Sequence, residues 1–329
     1  GDLWADVVIG QRDFTEINPN EIVPDKTFNP GGIVVDNSPT SSGKAFLWDS
    51  NNNRILGIDL ATCYAKQGLG TRCAGQKVLG QPSLNDYGAC NQDSSLQSST
   101  KVSASDSSLC GVTDTAFTLE EQRSQTNMAI DGAGNLYVAD IENNRVLKYN
   151  NPFATGSDAR ADEVWGQADF SGNLPNRGSA INASSLSFDF EYWGSGGVEK
   201  HGGVAIDPLG NLWIVDTANN RVLRYPKQGS LISKVADIAL GQSNFTGSSS
   251  GSGLNQLKRP TAATFDTTGK LYVADSGNNR ILVFSSSSLI PGAASAITAS
   301  GTFGSDFAHA QPYAVQTSCV AGAGYTGAY

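Results

Sequence analysis

Histidine is almost missing from this chain, with only His201 and His309 among 329 residues. A catalytic zinc site with three protein ligands needs imidazoles or thiolates that converge. One His in any one neighbourhood, with no Cys beside it, does not build that site. Basic residues are few as well: 22 Lys and Arg stand against 31 Asp and Glu, for a net charge of −9. Sequence-independent nucleic-acid binding runs through Lys and Arg clusters on phosphates, so nucleic acid is not expected as a partner. No long apolar run marks a membrane span or a leader. A Gly-x-Ser-x-Gly elbow and a Gly-rich phosphate loop ahead of a helix are both absent. The five cysteines form no Cys-x-x-Cys pair of the metal or haem kind.

What the chain has is repetition. Four stretches share one pattern: from Gly31 to Leu60, from Asn127 to Tyr149, from Gly202 to Tyr225 and from Ala262 to Phe284. Each is an apolar run ending in Asp, a Gly turn, a second apolar run ending in Asp, then Asn-Asn-Arg and a third apolar run. The runs are short, β-branched and aromatic, and are bounded by Gly, Asn and Asp, which reads as strands. A fourth strand follows and ends in Gly-Gln at Gly80-Gln81, Gly166-Gln167 and Gly241-Gln242, with a decayed copy at Gly301–Ser305. The unit is a four-stranded antiparallel meander. Such units arranged radially give an all-β propeller, which hides most sheet edges by repetition.

The Gly-Asn-Leu-Tyr-Val-Ala-Asp and Asn-Asn-Arg-Val-Leu segments resemble the NHL repeat, a propeller blade motif. The Gly-Gln-x-x-Phe segments at Gly10–Phe14, Gly166–Phe170 and Gly241–Phe245 resemble its longer bacterial form. The resemblance implies a propeller and leaves activity open, because propellers host many unrelated functions. It also implies that the Asn-Asn-Arg signature is scaffold. The Asp ending each second strand (Asp49, Asp140, Asp216, Asp275) is expected to accept N–H bonds from the next turn. The following Arg is expected to fork onto a carboxylate.

Residues 6–11 read as a lone fourth strand, and Pro312 onward reads as the start of another blade. Joined in one mixed blade they make a single domain over 1–329 with five blades, or six if the chain continues. The tail 312–329 could instead be an edge strand that pairs with a neighbouring molecule. Cys63 with Cys73 and Cys90 with Cys110 each bracket a small loop and are expected as disulfides. Cys319 is left over, as an unpaired or intermolecular thiol. Local disulfides and a first residue that is not Met point to an exported chain with its leader removed, extracellular or at the cell surface.

Binding belongs in the long connectors between blades. In one of them Phe188, Phe190 and Tyr192 alternate with acids and precede Trp193. They read as a strand with an aromatic face that could stack on a carbohydrate or a protein, or else as extra core. The first-strand Asp residues Asp36, Asp131, Asp207 and Asp266 occupy equivalent positions. With His201 they are candidate channel-mouth residues that could hold calcium, although a turn-capping role fits their strict repetition better. No other cofactor is expected. Asn182 and Asn244 fit the glycosylation triplet. The leading function is a secreted, non-enzymatic binding or assembly scaffold with a protein partner or with itself. The alternatives are a cation-dependent lyase or hydrolase and a carbohydrate-binding propeller.

Overall fold

The computed structural model describes residues 7–11, 23–27, 30–39, 43–64, 73–86, 90–92, 103–111, 125–126, 128–188 and 201–289. The first blade is β1 (Pro30–Asp36), β2 (Lys44–Asp49), β3 (Arg54–Asp59) and β4 (Lys77–Leu79), antiparallel and in chain order. A five-residue helix, α1 (Leu60–Tyr64), follows β3. A two-residue strand, β5 (Gln125–Thr126), precedes the second blade. That blade is β6 (Met128–Ile130), β7 (Leu136–Asp140), β8 (Arg145–Tyr149) and β9 (Glu163–Trp165). The third blade is β10 (His201–Ile206), β11 (Leu212–Asp216) and β12 (Arg221–Tyr225), then the small hairpin β13 (Lys227–Gln228) and β14 (Leu231–Ile232), then β15 (Ile238–Leu240). β5 pairs in parallel with the start of β10, a cross-blade pairing that the repeat does not announce. The fourth blade shows β16 (Pro260–Phe265), β17 (Leu271–Asp275) and β18 (Arg280–Phe284). Its expected last strand, Gly301–Ser305, lies outside the described residues. The fold is an all-β propeller, with the first strands β1, β6, β10 and β16 side by side around the axis.

Two backbone details explain the repeat's fixed residues. Each turn between second and third strands is a single 3-10 turn closed by the second Asn of Asn-Asn-Arg. Asn53, Asn144, Asn220 and Asn279 are left-handed there, with φ of 51°, 50°, 53° and 52°. Asn tolerates that conformation where branched residues do not. Gly166 leaves β9 at φ 87°, and a Cβ there would lie 2.6 Å from Leu186. Only glycine lets the connector press that closely onto the strand end.

The core consists of layers between blades. Phe46, Trp48 and Ile55 of the first blade meet Leu136, Val138 and Leu147 of the second. Tyr137, Val146 and Trp165 then meet Leu212, Ile214 and Leu223 of the third. Trp213, Val215 and Val222 meet Leu271, Val273 and Leu282 of the fourth. Alternate residues of one strand therefore serve different neighbours, as the two-residue period of a strand requires. A polar latch reinforces the second layer. Trp165 Nε1 donates to the Ser233 carbonyl at 2.8 Å, and Lys234 Nζ sits 3.2 Å from the centre of the Trp165 ring. Glu163 is paired with Lys148 and Lys234, each at 2.8 Å. Burial pushes its carboxyl up, but the two ammonium groups outweigh that and hold it below the ordinary range.

Candidate functional site: the Asp-Asn-Arg clasp and the connectors

The Asn-Asn-Arg signature forms a clasp at the same end of every described blade. Asp140 Oδ2 accepts Arg145 Nε at 2.7 Å and the Asn143 side-chain amide at 2.8 Å. Its Oδ1 accepts the backbone N–H of Cys110 at 2.9 Å. The Asp216 carboxylate likewise accepts Arg221 Nε at 2.6 Å, the Asn219 amide, and the Ser187 N–H at 2.7 Å. Asp275 repeats this with Arg280, Asn278 and the Lys258 N–H. Asp49 takes Arg54 Nε and the Asn52 amide. The backbone partner is thus the connector entering the blade, and not the following turn that local sequence suggests. The 3-10 turns after these residues carry no side-chain cap from them. A short carboxylate reaches forward to its own Arg and Asn with one edge, which leaves the other edge for the incoming chain.

The guanidinium does not fork onto the carboxylate either. Its Nη atoms point at connector carbonyls. Arg145 Nη1 donates to Phe170 at 2.5 Å, and Nη2 donates to Ser105 and Ser108 at 2.9 and 2.8 Å. Arg221 donates to Phe245 at 2.5 Å and to Asn182 and Ser185 at 3.0 and 2.9 Å. One buried Arg therefore holds both the connector that enters its blade and the one that leaves it. The carbonyl of the Phe in Gly-Gln-x-x-Phe is the outgoing acceptor in these two blades. The Gln of that segment bonds back to the turn, with Gln167 Nε2 on the Asn144 carbonyl and Gln242 Nε2 on the Asn220 carbonyl, each at 2.9 Å. The left-handed Asn reaches onward: Asn144 Oδ1 accepts the Phe188 N–H at 2.9 Å and Asn220 Oδ1 accepts the Arg259 N–H at 2.8 Å.

The first-strand Asp residues sit at the opposite end of the blades. Asp131 accepts the N–H groups of Ala133 and Asn135, the Asn135 amide and the Tyr137 hydroxyl. Asp207 accepts Leu209, both Asn211 groups and Trp213 Nε1. Asp266 accepts the Thr268 hydroxyl and N–H, the Lys270 N–H and the Tyr272 hydroxyl. Asp36 accepts the Ser38 N–H. The Thr268 hydroxyl bond, followed by the Lys270 N–H, draws the Asp266 carboxyl down to about 2. Burial raises the Tyr137 hydroxyl far above its ordinary value, and the charge of Asp131 adds to this.

His201 does not join these carboxylates. It opens β10, whereas Asp207 follows the other end of the same six-residue strand. At about 3.3 Å per residue the strand holds them roughly 20 Å apart, at opposite ends of the blade. Grouping His201 with the Asp set at one channel mouth is therefore incorrect. No cluster of three metal-ligating side chains occurs among the described residues.

Phe188 lies fully buried between blades two and three, wedged against Gly202, so its ring is core. Phe190, Tyr192, Trp193, His309 and Cys319 fall outside the described residues. Cys63–Cys73 and Cys90–Cys110 are disulfides. Asn182 and Asn244 are both exposed, and each side-chain oxygen accepts an N–H two residues on, from Ser184 and Thr246. A polar cavity of about 230 Å³ lies beside the loop after β8, lined in part by Tyr149, Ser157, Arg160 and Asp162. The Tyr149 hydroxyl is buried without a partner, and so is Tyr225 at the same repeat position. That feature follows the repeat and does not mark the cavity. Among the described residues, no helix is long and apolar enough to cross a membrane.

Residues 257–284, which span the three described strands of blade four, match the NHL repeat. No curated protein matches the chain. Solved structures with a similar course include a streptogramin B lyase, at 12% identity and TM-score 0.38, covering 79% of this chain and 52% of that one. An auxiliary nutrient binding protein from Bacteroides thetaiotaomicron gives 11% and 0.42, covering 78% and 47%. A chain of a nidogen/laminin complex gives 16% and 0.39, covering 81% and 63%. This chain therefore spans less than two thirds of each of those chains. The fold is a β-propeller whose blades repeat one design, and blade four carries that design as an NHL repeat.

Proposed function

We propose that the protein is a non-enzymatic binding or assembly scaffold that acts outside the cell. One observation carries the reading: the repeated polar side chains are spent on internal bonding. Each signature Asp and Arg binds connectors or turns of its own chain, in pairs of 2.6–2.7 Å that are fully buried in the first three blades and half-buried at Arg280. A catalytic group needs a free valence toward substrate, whereas these groups fix the loops that a partner would meet. Two disulfides that close local loops suit an oxidising compartment. Light scattering of native material, with and without reductant, tests the proposal. A defined complex, with itself or with a second protein, supports it. A monomer that turns over a small molecule with a rate lost on His201→Ala substitution overturns it.

A further inference from the structure

Among the described residues, the two most exposed large apolar side chains stand at one end of one blade. Leu209 is 80% exposed and Leu231 66%. Leu209 tips the turn between β10 and β11, where its N–H is held by the Asp207 carboxylate at 2.9 Å. At the same point stand Ser38, Ala133 and Thr268 in the other blades, each donating to its own Asp. Blade three breaks the repeat there with a large apolar group. Leu231 belongs to the β13–β14 hairpin, which lies between the third and fourth strands of the same blade. Gly229 and Ser230 make its two-residue turn, with Gly229 at φ 64°, as the first position of a type II′ turn requires. A Cβ on Gly229 would meet nothing within 4 Å, so the tip projects clear of the fold. The turn and the hairpin abut. A Cβ on Gly210, next to Leu209, would lie 2.8 Å from Lys227 Cδ, and the Lys227 N–H donates to Asn211 Oδ1 at 2.8 Å. The Lys227 ammonium makes no hydrogen bond or ion pair with the described residues. Blade two uses the corresponding loop differently, folding its Phe153 back onto Phe46 of blade one.

We propose that this end of blade three docks on a phospholipid bilayer, with Leu209 and Leu231 entering the boundary between headgroups and acyl chains and Lys227 at the level of the phosphates. Shape selects that occupant. The two leucines are convex tips and not the walls of a groove, so a protein would need a matching pocket for each. A bilayer yields to such tips, to a depth of about 5–10 Å. Extent selects it as well, because two side chains fall far short of the roughly 800 Å² per partner that a stable dimer buries. Lys227 offers an unpaired cation on a chain of net charge −9, and a headgroup phosphate complements it at short range. The clasps and connectors lie at the other end of the blades, so docking here turns them away from the bilayer. The inference goes beyond the proposed function and does not rest on it, since a bilayer contact leaves the connectors open to any partner.

Vesicles of phosphatidylcholine test it, with the full chain in a Cys319→Ser background and the disulfides intact. A polarity-sensitive dye is attached at the hairpin tip through Ser230→Cys and, for comparison, at the clasp end through Ser250→Cys, both exposed positions. Vesicle titration is expected to move the emission of the first dye to the blue and to leave the second unchanged. Adding Leu209→Ser with Leu231→Ser is expected to weaken the partition at least ~10-fold while the far-ultraviolet spectrum stays the same. No shift at millimolar lipid overturns the inference, as do equal shifts of both dyes or binding that survives the two Ser substitutions. A blue shift that appears without lipid, together with a doubled mass, also overturns it and assigns the tips to a second copy.

Discussion

Removing the Arg of one clasp should cost far more than an ion pair alone accounts for. In Arg221→Met the Asp216 carboxylate stays buried and loses its charge partner, which in general costs about 3–5 kcal/mol. For a simple buried pair, replacing both members with apolar residues restores most of that loss. Here it should not. Asp216→Leu with Arg221→Met also strips donors from the carbonyls of Phe245, Asn182 and Ser185, and acceptors from the Ser187 N–H and the Asn219 amide. Each buried group left unpaired costs about 1–3 kcal/mol, so the double variant should remain at least ~3 kcal/mol below the parent. Arg160 supplies a control, because its 3.4 Å pair with Asp106 is largely solvated. Its replacement by Ala should move stability by no more than ~1 kcal/mol. Urea unfolding followed by tryptophan fluorescence and far-ultraviolet dichroism, compared at equal slopes, measures all three. A double variant that regains parental stability would refute the claim that this Arg clasps connectors.

Two further outcomes follow from the turns. Asp266 has a folded-state carboxyl near 2, below its ordinary 3.8, so its contribution is present above about pH 4 and is lost as pH falls toward 2. Asp266→Asn should flatten the loss of stability in that window alone, and an unchanged acid titration of the melting point would count against the bonding described. Gly43 and Gly166 both have positive φ, but a Cβ meets nothing at Gly43 and meets Leu186 and the Asn144 carbonyl at Gly166. Gly43→Ala should cost about 1–2 kcal/mol from the backbone, and Gly166→Ala at least ~1 kcal/mol more from the clash, read from the same urea curves. Equal losses at the two sites would show that the connector yields freely.

The blades were legible because strand period, Gly turns and Asn-Asn-Arg recur together, and recurrence constrains fold more tightly than any one residue does. The carboxylate–guanidinium pairing was legible for the same reason. What escaped sequence reading is long-range. The N–H that Asp140 accepts belongs to Cys110, thirty residues earlier in an irregular connector with no period to anchor it. The alternation around Phe188 favours core but also admits an exposed ring, because a two-residue alternation states that sides differ without saying which neighbour either side meets. His201 and Asp207 are close in sequence and yet stand at opposite ends of a strand, a separation visible only once β10 has a direction.

Calcium is the sharpest probe of the central claim that the repeated acids are structural. Asp131, Asp207 and Asp266 each accept several bonds from their own turns, and Asp49, Asp140, Asp216 and Asp275 hold Arg. Metal analysis of mildly purified protein, with thermal melts over a calcium titration, should find no stoichiometric ion and no saturable rise in melting temperature. A bound ion at fixed ratio, with a saturable rise that Asp207→Asn abolishes, would contradict the account and make these carboxylates ligands.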